Sequence, residues 1–224
     1  MTVLLFLCSL YIIDQPSTYV PGHAIYDVKL RLGPEGAVLG FFHVGIWDRL
    51  SLGISYGASN LIGAGDPEFY TKPGIQIRIL AIEEGFVYPS FILGFDNQGY
   101  GPYDEGRYEI MSKGLYCQTG KTFGTPGIEF IPSIGFNYSF EENGRFDIFL
   151  GVMTQFGTSA ALLIDYSPNF NDNLDQNKGY MNLALKLIFY EELFFEFALR
   201  DLLDNGIGEQ QLNRLIKIGY EQVF

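Results

Sequence analysis

The chain has 224 residues, a formal net charge of −12, 47% hydrophobic residues and 16% aromatics. No apolar run reaches the roughly 18 residues a membrane-spanning helix requires, and no basic stripe is present to neutralise phosphates, which excludes nucleic acid as a partner. The 27 glycines and dispersed aromatics suit strands and tight turns better than helices.

In chain order, the first element is the apolar stretch from Val3 to Ile13. It has the length of an export-signal core but lacks a basic leader and a small-residue cleavage site. Residues 1–13 are therefore read as a truncated or atypical export signal, and 14–224 as the folded domain. Cys8 lies in this stretch, which leaves Cys117 as a lone structural thiol and no disulfide framework.

Period-2 alternation then predicts twelve strands, near 23–33, 37–46, 49–58, 74–83, 88–96, 113–123, 128–141, 145–155, 159–167, 179–189, 193–201 and 212–224. About ten residues is the length of a strand that crosses a bilayer at a tilt. The seventh sets Ile128, Phe130, Ile134, Phe136, Tyr138 and Phe140 against Glu129, Ser133, Gly135, Asn137 and Ser139. The tenth opposes Met181, Leu183, Leu185, Leu187 and Phe189 to Asn182 and Lys186, and the eleventh opposes Phe195, Phe197 and Leu199 to Glu196 and Arg200.

Turn lengths test this assignment, because an apolar face continues across a hairpin only if paired residues keep their parity. Three-residue loops at Pro34-Glu35-Gly36 and Glu142-Asn143-Gly144 do so, each with glycine third, where a positive φ is needed. Phe156-Gly157-Thr158 and Tyr190-Glu191-Glu192 also preserve it. Long polar connections follow strands three, five, nine and eleven, while every even-numbered strand is followed by a short one. Strands one and seven also have short connections. Outer-membrane barrels sort loops by side in this way, with both termini on the periplasmic side. Tyr26, Trp47, Tyr56, Tyr88, Tyr138, Tyr166, Tyr180, Tyr190 and Tyr220 fall near strand ends, as interfacial girdles require.

The expected fold is all-β, a closed antiparallel up-and-down transmembrane barrel of about twelve strands. Its inward parity carries Lys29, Arg31, Arg49 and Arg78 on the early strands, then Glu129, Asp147 and Asp165. Lys186, Glu196, Arg200, Lys217 and Glu221 follow on the later strands, so a basic wall faces an acidic one. Two expectations follow: paired charges filling a narrow lumen, or a hydrated pore for small polar solutes.

Gly53-Ile54-Ser55-Tyr56-Gly57 matches a nucleophile-elbow pattern, but it lies within an alternating strand, and neither His23 nor His43 follows it. His43 is followed two residues later by Gly45 where barrel phospholipases carry serine, so a lipid hydrolase is the least favoured function. His43 faces the lumen or, if the turn at Trp47-Asp48 has two residues, the lipid. No zinc spacing, dinucleotide loop or cofactor motif is present. Asp172, Asn173 and Asp175 read as a solvated loop rather than a calcium site.

The final run places Ile216, Ile218, Tyr220 and Phe224 on one parity. It resembles the C-terminal signature of bacterial outer-membrane barrels, whose last strand ends in an aromatic. Asp27-Val28-Lys29-Leu30-Arg31-Leu32-Gly33-Pro34-Glu35-Gly36, Leu52–Gly57 and Gly94-Phe95-Asp96-Asn97-Gln98-Gly99-Tyr100-Gly101 resemble barrels loosely related to the exopolysaccharide-associated outer-membrane type. The resemblance implies a monomer in the bacterial outer membrane, in contact with lipid and lipopolysaccharide and inserted by the barrel-assembly machinery through its last strand. The expected role is passive rather than enzymatic, either a narrow pore or a structural or export-associated barrel. The alternative is a soluble or surface-associated β-sandwich that binds carbohydrate through its aromatics, with its apolar face covered by a second sheet.

Overall fold

A computed structural model describes residues 9–104, 106–141, 145–170, 178–190, 192–205 and 213–224. Twelve strands form the wall: β1 (Ile25–Leu32), β2 (Val38–Ile46), β3 (Leu50–Ser59), β4 (Gly74–Ile82), β5 (Ser90–Asp96) and β6 (Gly114–Gly120), then β7 (Ile128–Ser139), β8 (Arg145–Phe156), β9 (Ala160–Ser167), β10 (Tyr180–Phe189), β11 (Leu193–Arg200) and β12 (Asn213–Val223). Each pairs with its sequence neighbour, and β1 pairs antiparallel with β12 from Ile25↔Val223 to Leu32↔Ile216. The sheet is a closed ring, as lipid requires, because hydrocarbon offers no partners to an open strand edge.

The loosest seam is β6–β7. Gly114 meets Tyr138 in a single bridge of parallel type. At the other end the Lys121 N–H donates to Pro132 O at 3.2 Å, so the two strands run in opposite directions overall. Pro132 presents its carbonyl to β6 but has no N–H to return, which removes a ladder bond at this seam.

Outward residues are bulky and bare. Ile54, Phe136, Leu185 and Phe197 are 51%, 51%, 45% and 49% exposed, whereas inward Lys186 and Glu196 are 2% and 0% exposed. A water-soluble protein has the opposite arrangement, and the sandwich alternative falls because the sheet closes on itself and, among the described residues, no second sheet covers this face. Aromatics collect at both rims: Trp47, Phe86, Tyr88 and Tyr190 at the short-turn end, and Tyr56, Phe69, Phe146 and Phe170 at the long-loop end, all exposed. Tyr180 departs from the expected girdle. It is buried among lumen aromatics because its parity on β10 is inward.

Turn geometry accounts for the register. Between β2 and β3, Trp47 and Asp48 both take positive φ, 55° and 58°, and Ile46 pairs with Leu50. The loop therefore has three residues and His43 faces the lumen, 1% exposed. Arg49, the third residue of this loop, still bonds to the neighbouring strand, its carbonyl accepting from the Leu80 N–H at 2.7 Å. It is exposed, reaches Leu80 O and Glu83, and does not line the lumen. At the other end Gly36 has φ 64°, and a Cβ there would lie 1.8 Å from Ile62 O, so glycine is required twice over. The turns at 142–144 and at 191 lie outside the described residues, as do Asp172, Asn173, Asp175 and Cys8.

Candidate functional site in the barrel lumen

The lumen is filled by the chain's own N-terminal region. Residues 9–17 form a tight hairpin inside the ring: Tyr11 pairs with Pro16, the Ile12 N–H donates to Gln15 O at 2.8 Å and the Ser17 N–H donates to Leu10 O at 3.0 Å. Ser9–Ile13, assigned above to an export segment, lie instead in the barrel interior, and residues 1–8 fall outside the described residues. The physical reason is an apolar patch on the inward face. Met153, Ala161, Leu163, Ala184, Phe194 and Leu215 form a buried cluster that takes up Ile12 and Ile13. An apolar run that reads as an export core is equally suited to such a wall.

Gly151 on β8 is shaped to the hairpin, since a Cβ there would lie 1.9 Å from Ile12 Cδ1. Gly151→Ala is expected to be absorbed by rotation of Ile12. Gly151→Leu is expected to destabilise the seated hairpin by about 1–3 kcal/mol through overpacking. Faster hydrogen exchange at 9–17 with unchanged barrel amides would register this, and unchanged exchange at 9–17 would contradict it.

The hairpin tip carries the polar lock. Asp14 Oδ1 accepts from Arg31 Nη2 at 2.7 Å, and Oδ2 accepts from Arg200 Nε at 2.8 Å with Arg200 Nη2 at 2.7 Å. One carboxylate oxygen of Asp165 on β9 accepts three successive backbone N–H groups, from Ile13, Asp14 and Gln15, at 3.0, 2.7 and 2.9 Å. Its other oxygen accepts from Asn182 Nδ2 at 2.7 Å. Lys217 Nζ donates to Ile13 O at 2.6 Å and pairs with Glu196 at 2.7 Å. Arg78 donates to Leu10 O and covers the Tyr11 ring at 4.6 Å, while the Tyr11 hydroxyl donates to Asp96 at 2.6 Å. Gln118 Nε2 donates to Pro16 O at 2.8 Å. Asp165, Arg78, Gln118 and Lys217 of the wall thus find partners in the hairpin backbone.

Burial by itself would raise the pKa of Asp14, but the guanidiniums of Arg200 and Arg31, with Lys217, outweigh it and hold the carboxyl below its usual range. A depressed folded-state value means the ion pair contributes in full above the ordinary carboxyl pKa and is lost as pH falls through the folded one. The stability difference between wild type and Asp14→Asn is therefore expected to stay constant from pH 7 to about 4 and to shrink only in stronger acid. Hydrogen-exchange protection at 9–17, compared between the two proteins at each pH, checks the sign; a difference that fades between pH 7 and 5 would refute it.

Of the inward charges read from the sequence, Lys29, Arg31, Arg78, Asp147, Asp165, Lys186, Glu196, Arg200 and Lys217 are buried in the lumen. Asp147 holds the long-loop rim, accepting from Ser167 Oγ at 2.7 Å and the Phe170 N–H at 3.0 Å. Glu221 accepts from the Tyr19 hydroxyl at 2.9 Å near the short-turn end. Glu129 is only half-buried, at the same end. The two charged walls do not meet directly, because the hairpin bridges them. Ile216, Ile218 and Tyr220 face outward beside β1, and the Phe224 ring packs at a tilt against Tyr26 with centroids 4.8 Å apart.

The sequence reading did not include Asp14, Asp96, Gln118 or Tyr100 in the site. The one available signal was Asp14-Gln15-Pro16-Ser17, a turn-forming run directly after an apolar stretch.

The nucleophile-elbow pattern also finds a packing explanation. Gly53 lies against the His43 ring, where a Cβ would be 2.1 Å from Cδ2. His43 Nδ1 is 3.3 Å from Asp27, but the Ser55 hydroxyl donates to Gln98 at 2.8 Å and accepts from Gln76 at 2.9 Å.

A hairpin of Tyr100–Asp104 and Arg107–Ile110 folds over the long-loop mouth and buries Tyr100 and Tyr108 beside Tyr70. The Arg31 guanidinium lies 3.7 Å from the Tyr100 ring centroid. Burial pushes the Tyr108 hydroxyl up to about 12. Among the described residues, voids lie at the short-turn end (about 550 Å³), beside Tyr11 and Ile13 (about 10 Å³) and beneath the mouth hairpin (about 70 Å³).

A closed ring with hydrocarbon-like residues outside and charges within defines a transmembrane β-barrel of the outer-membrane kind. No family model matches the chain, and no curated protein matches it. Among solved structures it is similar to the Acinetobacter baumannii outer membrane protein Omp33, at 6% identity and TM-score 0.42 over 90% of this chain and 98% of that one. It is also similar to a structure from the de novo design of transmembrane β-barrels, at 13% identity and TM-score 0.23 over 91% and 98%. The class rests on ring closure and polarity, not on these likenesses.

Proposed function

We propose that this protein resides in the bacterial outer membrane as a passive, structural barrel that is closed at rest. The observation that carries the reading is the seated hairpin, whose Asp14 and backbone amides are held by Arg31, Arg200 and Asp165 from three strands. Beside Tyr11 and Ile13 the described residues leave a void of only about 10 Å³, the room of about one water. Of the two expectations, a filled lumen and a narrow pore, the first has this support. Ser55, committed to Gln98 and Gln76, supports a role without catalysis.

Lipid and lipopolysaccharide are the partners of the outward belt. The assembly machinery is the partner of the terminal strand carrying Ile216, Ile218, Tyr220 and Phe224, and the closed edge favours a monomer. In planar bilayers the full chain is expected to be silent at neutral pH, while its gel migration shifts on heating. Steady unitary conductance from the wild type would overturn the closed-barrel reading.

A further inference from the structure

The Arg31–Arg200 pair has two sides. One side holds the Asp14 carboxylate, each oxygen taken by a different guanidinium. The other side lines the void of about 70 Å³ under the mouth hairpin, with Tyr70 and Tyr100. Two guanidiniums converging on one planar carboxylate make a carboxylate receptor. The side chain of Asp14 is chemically an acetate group on a tether, so the receptor is occupied by a ligand that belongs to the chain.

We propose that Arg31 and Arg200 form a binding site for small monocarboxylates, reached from the long-loop mouth, with Asp14 as its built-in competitor. A carboxylate that engages the pair displaces Asp14 and weakens the seating of the hairpin. The rim bears on the ligand's charge: exposed Glu35 and Glu109 line the same void, so a singly charged ligand passes more readily than a polyanion. The proposal rests on the closed-barrel reading, since the competitor is the plug.

A tethered carboxylate acts at an effective concentration in the millimolar range or above. Removing its charge exposes the receptor. The test is an NMR titration of ¹³C-acetate against the full chain in detergent micelles at constant ionic strength, with neutral acetamide as control. Asp14→Asn is expected to bind acetate at least about tenfold more tightly than wild type, Asp14→Asn/Arg200→Gln is expected to lose that binding, and acetamide is expected to bind none of them. In the wild type, saturating acetate is expected to speed hydrogen exchange at 9–17. Equal acetate affinity in wild type and Asp14→Asn, or retention of binding without Arg200, overturns the proposal. If Asp14→Asn fails the heat-shift check of folding, the wild-type exchange experiment decides alone, and unchanged exchange overturns it. Conductance of the acetate-free wild type tests the closed barrel separately: steady channels there sink that reading, while the titration still decides whether the arginine pair binds carboxylate.

Discussion

Replacing Asp165 with alanine is expected to unseat the hairpin while leaving the barrel closed. The Asp165 carboxylate is the acceptor for three consecutive amides at the tip, and it also fixes Asn182, which donates to Asp14 Oδ2 at 3.4 Å. Without it, three buried N–H groups lose their charged acceptor. A buried donor left without its acceptor costs about 1–3 kcal/mol, so losing the acceptor of all three costs at least about 3 kcal/mol. That loss falls on local opening of the hairpin rather than on the ladder, which β9 keeps through its own backbone pairs with β8 and β10. Exchange at Ile13, Asp14 and Gln15 is expected to accelerate by about 10²–10³-fold, at 1.4 kcal/mol per factor of ten, with the wall amides little changed. If those three amides exchange at the wild-type rate, Asp165 does not hold the plug.

Leu185→Arg is expected to destabilise the folded protein in phospholipid bilayers by about 2–4 kcal/mol, the cost of a cation near the bilayer midplane on the outside of a barrel. Leu185 sits mid-strand on β10 between Leu162 and Phe197, both outward and exposed. No acidic residue lies in register to pair with an arginine there. Leu185→Phe keeps the surface apolar and is expected to be within about 0.5 kcal/mol of wild type. Reversible urea unfolding in lipid vesicles distinguishes the two, and Leu185→Arg matching wild type would mean this face does not meet hydrocarbon. The same substitution on a soluble sheet's solvent face would be tolerated, so the measurement also tests the environment.

Much of the lumen was legible because its signal is local. Lys186 and Glu196 read as inward from their immediate neighbours, and they are paired across β10 and β11. Arg49 misled because parity says nothing of depth: it stands at the rim beside the left-handed turn at Trp47 and Asp48, where its side chain is exposed and reaches Glu83. Strands β9 to β11 alternate imperfectly for a reason the sequence did not expose. Leu163, Ala184 and Ala198 point inward, and they are apolar because they receive Ile12 and Ile13.

By itself the amino-acid order determined which parity meets lipid, where the turns fall and that the last strand is fit to close a ring, since a two-residue period is written in adjacent side chains. Only the tertiary structure decided that the lumen is filled and by what. The contact from the Ile13 N–H to Asp165 joins residues 152 positions apart, and the contact from Arg200 to Asp14 joins residues 186 apart. An apolar run beside an aspartate carries no mark of which distant wall it will meet. That choice is made by the shape and charge of the enclosed space once the ring has closed.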